Sequence, residues 1–327
     1  MSQARNRILI TGGTGFVGTC LLDQIESDVE RWGGWSVASA SRSPSQRPRV
    51  EAITWDLSTD RLPEPDGGFD VIVHAATPAS AVFNAEQPAQ MFWMNVNAMQ
   101  RVLQFAERME FAPTIVFTSS GAVYGEMPSN MTRFPEGFNG ASQTLDVRSA
   151  YAEGKRCAEY LLTEATTRGV CSGIVLRLFA FSGVHIPRNR HFAIGNFVRD
   201  AVETGEIVVR SDGSAIRSYL DGADMAQWIL SSIDGGEPGF AYHVGSDAPI
   251  SVGELADLVA NRSLITLGRD VRTVVLGTPH PLDGISRYVP EVTTTKKHLG
   301  VEQRVLLEES IDRMLRSHET RFASAGS

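Results

Sequence analysis

Arg7-Ile-Leu-Ile-Thr-Gly-Gly-Thr-Gly-Phe-Val-Gly18 is the stretch on which the fold turns. A short apolar strand runs into a turn with glycines at 12, 13, 15 and 18, and a helical pattern follows over residues 16–30. Only glycine lets a backbone turn this tightly from strand to helix while passing close to a pyrophosphate. The helix start then offers unpaired N–H groups and the positive end of its dipole to the phosphates. In this strand–turn–helix setting Gly12, Gly15, Phe16, Val17 and Gly18 are expected to cradle a dinucleotide.

Outward from this turn, apolar strands are predicted at 36–40, 69–74, 114–118 and 173–177. Helices are predicted at about 89–109 and from 150 through 161. Strands alternating with helices specify an α/β fold with a parallel, doubly wound sheet of Rossmann type, covered on both faces. Beyond about residue 180 glycine and proline become frequent and the segments shorten. The expected division is a dinucleotide-binding domain at 1–180, with segments returning at about 214–248, and a smaller interleaved α/β substrate domain at 181–327.

The chain of 327 residues carries a net charge of −8, which argues against a general nucleic-acid binder. Three scattered cysteines, Cys20, Cys157 and Cys171, provide neither a disulfide framework nor a zinc site. No apolar run has the length of a membrane span, and the N-terminal residues lack the apolar stretch of a secretion signal. A cytoplasmic protein without a metal is expected.

An acidic residue after the second strand would bond the ribose 2′-hydroxyl of NAD. Here the sequence is Ser41-Arg42-Ser43, with Arg47 and Arg49 behind it, and a guanidinium with hydroxyls suits a 2′-phosphate. NADP is therefore favoured over NAD. Asp56-Leu57 offers a carboxylate and an apolar flank to an adenine, although Asp56 serves equally as a turn cap. His74-Ala75-Ala76 ends a strand in small residues against which a cofactor can lie, with His74 read as a core histidine. Tyr151 and Lys155 stand four apart on one face of a helix. Lowering a tyrosine pKa by about three units takes roughly 4 kcal/mol, which an ammonium and a second positive charge in a dry cleft can supply.

Taken in order, Thr-Gly-x-x-Gly-x-x-Gly, His74-Ala-Ala76, Ser119-Ser120 and Tyr151-x-x-x-Lys155 resemble the extended short-chain dehydrogenases/reductases. Within them the chain is most similar to enzymes of nucleotide-activated sugars: epimerases, 4,6-dehydratases and 4-ketoreductases. Asn95-Val96, Thr118-Ser-Ser-Gly-Ala-Val-Tyr-Gly125, Gly213-Ser-Ala-Ile-Arg217-Ser-Tyr-Leu-Asp221, Tyr242-His-Val-Gly-Ser246 and Ser286-Arg-Tyr288 extend the likeness. The last two match pieces of that family's substrate domain. The resemblance implies Tyr151 as general acid/base, Lys155 as the group that lowers its pKa and bonds the nicotinamide ribose, and Ser120 on the reacting sugar hydroxyl. It adds Asn95 to the cofactor set and makes Asn196, Arg217 and Arg287 substrate ligands, the two arginines clamping the diphosphate. It further implies hydride transfer at C4 of an NDP-hexose in activated-sugar or surface-polysaccharide biosynthesis, and a homodimer paired through the helices at 89–109 and 150–163.

Three positions depart from that pattern. Gly121 and Ala122 stand where the 4,6-dehydratases carry an Asp-Glu pair, which disfavours dehydration and leaves epimerase or 4-ketoreductase, with Arg42 favouring the reductase. Ala180 replaces an asparagine that bonds the sugar. Gly154 sits inside the Tyr151 helix, where glycine costs about 1 kcal/mol against alanine, and suggests close packing against a neighbour. A non-catalytic nucleotide sensor on the same fold is the rival of another class.

Overall fold

β1 (Arg7–Thr11) sends Ile8 and Ile10 to one face and Leu9 to the other, and all three are fully buried. A strand apolar on both faces belongs in the middle of a covered sheet. The structure, a computed structural model, describes residues 6–325 apart from 44, 60, 65, 66, 78, 191 and 279–284. After β1 come α1 (Phe16–Ser27), α2 (Val29–Trp32), β2 (Ser36–Ser41), β3 (Val50–Thr54), β4 (Val71–His74), α3 (Ala81–Glu86), α4 (Pro88–Glu107) and β5 (Thr114–Ser120). Next are α5 (Ala150–Thr167), β6 (Ser172–Leu178), β7 (Phe181–Ser182), α6 (Ala193–Glu203), β8 (Glu206–Val209), β9 (Ile216–Arg217) and β10 (Leu220–Asp221). The chain continues through α7 (Gly222–Gly235), β11 (Ala241–Val244), β12 (Ile250–Ser251) and α8 (Val252–Leu267). β13 (Arg272–Val275), β14 (Arg287–Tyr288), α9 (Thr293–Leu299) and α10 (Leu307–Ala325) follow.

Seven parallel strands form the large sheet in the order β3-β2-β1-β4-β5-β6-β11. Its winding reverses between β1 and β4, so a crevice opens beyond their carboxyl ends. Leu21 and Leu22 of α1 and Trp228 and Ile229 of α7 cover one face, with Ile8, Ile10, Val71 and Val73. Met99 and Val102 of α4 and Ala158 and Leu162 of α5 cover the other, with Leu9, Ile72, Ile115 and Phe117. A separate core joins Phe197 and Val198 of α6, Leu255 and Val259 of α8, and Ile311 and Met314 of α10, beside paired β8 and β13. β9, flanked by β12 and β14, makes a three-stranded sheet between these layers.

Several elements differ from the sequence reading. The first helix stops at Ser27 because the Asp28 side chain accepts from the Arg31 N–H at 3.2 Å and caps a fresh turn. β3 was not predicted; it is an edge strand, mostly exposed, and its mixed Val-Glu-Ala-Ile-Thr composition hides it. The segment 242–246, likened above to the substrate domain although it falls within the returning stretch at about 214–248, supplies β11, the opposite edge of the large sheet. The chain returns to that layer again near its end, where Val292, Leu299 and Val301 pack into the first core.

Candidate active site

The carboxyl ends of β1, β4 and β5 open onto a cavity of about 1510 Å³. Gly12, Gly15, Phe16 and Val17 form one end of its wall. Gly12 has φ +76°, and a Cβ there would stand 2.8 Å from the Ala76 backbone; a Cβ on Gly18 would stand 2.3 Å from the Gly12 carbonyl. Gly18 therefore seats α1 against the turn instead of facing the cavity. Next to Gly15 the space for a Cβ meets only the Gly12 carbonyl, at 3.3 Å, and α1 begins without a side-chain cap. The turn is thus shaped as a backbone cradle at a helix N-terminus, and a dinucleotide phosphate fits it. Ala75 lies in the same wall; Ala76 lies behind it, against Gly12.

Ser120, Tyr151 and Lys155 share the next stretch of wall. Ser120 ends β5, and its hydroxyl accepts from the Ala122 N–H at 3.2 Å. Tyr151 opens α5, where its N–H donates to Asn84 Oδ1 at 2.9 Å. Burial holds its phenol above the ordinary value, while the Ser120 hydroxyl pulls it down. Lys155 is 2 % exposed and donates to Thr77 Oγ1 at 2.6 Å and to the Thr118 carbonyl at 2.7 Å. Its Nζ lies 5.9 Å from the Tyr151 ring centre. A full charge at that range contributes about 3 kcal/mol at an effective dielectric of about 20. The ammonium is turned toward Thr77 and Thr118. Burial also draws Lys155 itself down to about 7.

Asn196 and Arg217 line the far end of the cavity. Asn196 Nδ2 donates to the Arg190 carbonyl at 2.8 Å, and Arg217 donates to the Ile216 and Ser286 carbonyls at 2.8 and 3.1 Å. Arg287 is not brought to the same wall. β14 pairs with β9 so that Tyr288 stands opposite Arg217 and Arg287 opposite Ile216. Side chains alternate along a strand, so Arg287 departs on the other face. On this face Arg217 stands beside Tyr288.

Tyr288 is the residue the sequence reading missed. Its hydroxyl lies 3.4 Å from Ser120 Oγ and donates to the Leu178 carbonyl at 3.3 Å. A Cβ at Gly121 would stand 2.8 Å from that hydroxyl and 2.7 Å from the Phe179 ring, so Tyr288 fills the space a carboxylate side chain would need. Strand register was the signal that could have found it. A second cavity of about 480 Å³ shares Ala79, Tyr151 and Tyr288 with the first and is walled by Asn84, Ser142 and Gln143.

Other expected ligands lie outside the wall. Ser41 donates to the Ser43 carbonyl, and Asp56 caps its turn, accepting from the Ser58 N–H at 2.9 Å and hydroxyl at 2.7 Å. Leu57 packs into the core beside α4. Arg42 is exposed at the end of β2, and its charge helps hold the Asp56 carboxyl below the usual range. Arg47 is taken up by Asp23 and Glu26, both at 2.6 Å. Asn95 is fully buried, donates to the Met91 carbonyl at 2.9 Å, and packs against Gly154, where a Cβ would come within 3.0 Å of its own. His74 is fully buried, bonded at Nδ1 to Thr11 Oγ1 at 2.8 Å and stacked on Phe117. Among the described residues no cluster of three His, Cys, Asp or Glu is placed to hold a metal, and no helix is long and apolar enough to cross a membrane.

A profile of the NAD dependent epimerase/dehydratase family matches residues 8–245. UDP-glucuronic acid decarboxylase 5 of Arabidopsis thaliana is 28% identical over 318 residues, covering 95% of this chain and 89% of that protein. UDP-glucose 4-epimerase of Thermotoga maritima, solved with UDP-glucose, superimposes with a TM-score of 0.79 at 19% identity, over 97% of this chain and 99% of that one. RMD from Pseudomonas aeruginosa, complexed with NADPH, gives 0.76 at 21% identity over the same shares. The profile spans most of the chain, and the chain belongs to the NAD dependent epimerase/dehydratase family.

Proposed function

We propose that this protein moves a hydride at C4 of a nucleotide-activated hexose, as a 4-epimerase or a 4-ketoreductase, with bound NAD or NADP. The observation that carries the reading is the single wall on which the glycine cradle, Ser120, Tyr151, Lys155 and Arg217 meet. Ser120 holds the reacting hydroxyl; Tyr151 takes its proton in oxidation and returns one in reduction. Lys155 supports the phenolate, and Arg217 with Asn196 receives the diphosphate end. A nicotinamide bound against the cradle supplies the hydride exchange itself. The second cavity, whose wall includes Asn84, Ser142 and Gln143 together with the charged Glu126, Asp146 and Arg148, leaves room for sugar substituents beyond Tyr151. Ser41 and Arg42 at the end of β2 favour NADP, and with it the reductase outcome. We assign the dinucleotide to residues 1–180 with segments returning at about 214–248, and the sugar to 181–327, in a cytoplasmic homodimer. Trp93 of α4 and Tyr160 of α5, 57% and 69% exposed, support pairing through these helices.

The test is incubation with UDP-hexoses and NDP-4-keto-hexoses, followed by chromatography and nicotinamide absorbance. Interconversion without net cofactor change identifies an epimerase; consumption of NADPH identifies a reductase. Nucleotide binding without turnover of any of these sugars overturns the proposal and leaves the sensor. The likeness to UDP-glucuronic acid decarboxylases favours a second reading, in which oxidation at C4 labilises a neighbouring carboxylate. Release of carbon dioxide from UDP-glucuronic acid would establish it.

A further inference from the structure

Lys155 Nζ has two acceptors among the described residues. One is the Thr118 carbonyl of β5 at 2.7 Å, a backbone group present whatever residue stands there. The other is the Thr77 hydroxyl at 2.6 Å, present only because position 77 carries a hydroxyl side chain. Both acceptors are anchored to the end of β4. Thr118 Oγ1 donates to the His74 carbonyl at 3.1 Å. The Thr77 N–H donates back to the Ala75 carbonyl at 3.1 Å, and the Ala75 N–H donates to the Thr11 carbonyl at 3.2 Å. Between them Ala76 lies against Gly12, where a Cβ would stand 2.8 Å from its Cα. The segment 74–77 therefore touches the glycine turn with one residue and the lysine with the next. Thr77 lines the same cavity as Gly12, Tyr151 and Lys155.

We propose that Thr77 is a positioning residue, whose hydroxyl holds Lys155 Nζ at the place where a nicotinamide ribose meets the wall. A lysine side chain is a flexible four-carbon stem, and one acceptor leaves its tip free to swing about that contact. A second acceptor on a different segment fixes the tip. The ligand then meets a donor already in place, and binding does not have to order it. Thr77 follows directly on the residue packed against Gly12. One short piece of chain therefore sets the distance from the turn that takes the pyrophosphate to the lysine that takes the ribose. Removing the hydroxyl leaves the buried Nζ with the Thr118 carbonyl alone.

The inference rests on the cavity taking a nicotinamide dinucleotide, but on no particular sugar, so its test uses no sugar. Full-length wild type is compared with Thr77→Val, which keeps the shape and loses the hydroxyl, and with Thr77→Ser, which restores it. NADH and NADPH are titrated by fluorescence. ADP and 2′,5′-ADP, which lack the nicotinamide ribose, are titrated by calorimetry. Where the purified protein retains a dinucleotide, its release rate is read instead. Thr77→Val should weaken the dinucleotide that wild type prefers by about tenfold and the ADP fragments by less than about twofold, the scale of one hydrogen bond to a charged group. Thr77→Ser should recover most of the loss. In a Lys155→Met background Thr77→Val should have no further effect, because it acts through the lysine. Should Thr77→Val fail to fold, Thr77→Ala carries the same expectation. Unchanged or tighter dinucleotide binding in the folded variant, an equal loss of the fragments, or a serine no better than valine would overturn the proposal. A wild type that binds the ADP fragments but neither dinucleotide overturns the cofactor reading itself, and the proposal with it.

Discussion

Tyr151 carries the chemistry proposed for this wall, and its removal is the most direct residue-scale test. Tyr151→Phe is expected to lower kcat at least about a hundredfold while leaving cofactor affinity nearly intact. Lys155→Ala should impair both, and cofactor fluorescence titration beside turnover separates the two. A Tyr151→Phe enzyme with wild-type turnover would end the acid/base assignment. Ser120, Tyr151 and Lys155 were legible in sequence because their types and spacing report the chemistry. Thr77 was not, since it meets Lys155 only through the fold and has no spacing that marks it. The local partners of Asp56 and Arg47, namely Ser58 and two α1 carboxylates, were likewise not legible.

At the scale of elements, register and packing decide what the motif cannot. Because β14 and β9 set Tyr288, not Arg287, beside Arg217, the two arginines should differ in their effect. Arg217→Ala is expected to weaken nucleoside diphosphate binding by roughly 2–4 kcal/mol, and Arg287→Ala to change it little. Calorimetry with UDP distinguishes them; equal losses would restore the two-arginine clamp. The suspicion raised by Gly154 has a physical answer in the contact of α4 with α5. A Cβ there would lie 3.0 Å from both Asn95 Cβ and the Phe92 carbonyl. Gly154→Ala gains about 1 kcal/mol of helix propensity. Pushing the helices apart should outweigh it, for a net loss of about 1–2 kcal/mol. Urea denaturation measures the sum, and a stabilised variant would show that α4 can yield.

For the molecule as a whole, the central strands and the helices α1, α4 and α5 were legible because burial on both faces writes continuous apolar runs. The edge β3, being polar, and the covering helix α7 were not, and β11 was legible only as part of the stretch returning at about 214–248. Acid stability follows from two buried histidines. Burial holds His74 at about 3 and His243 at about 4, below the ordinary 6.5. The unfolded chain takes up these protons first, so their contribution is complete above about pH 6.5 and is lost as pH falls toward 4. Urea midpoints should drop between pH 7 and 5 by on the order of 2 kcal/mol for each histidine, and His243→Gln should flatten the profile. A pH-independent midpoint would contradict it. His243 also fixes the direction of a hydrogen-bond chain. Its Nδ1–H donates to the Glu291 carbonyl at 2.7 Å, so Nε2 accepts from Tyr124 Oη at 2.6 Å, which in turn accepts from Arg177 at 2.8 Å. A guanidinium does not release its protons and a peptide carbonyl does not take one up. Electrically, then, Arg177 is an insulator and Glu291 a dead end. No proton therefore passes along this chain between Arg177 and Glu291.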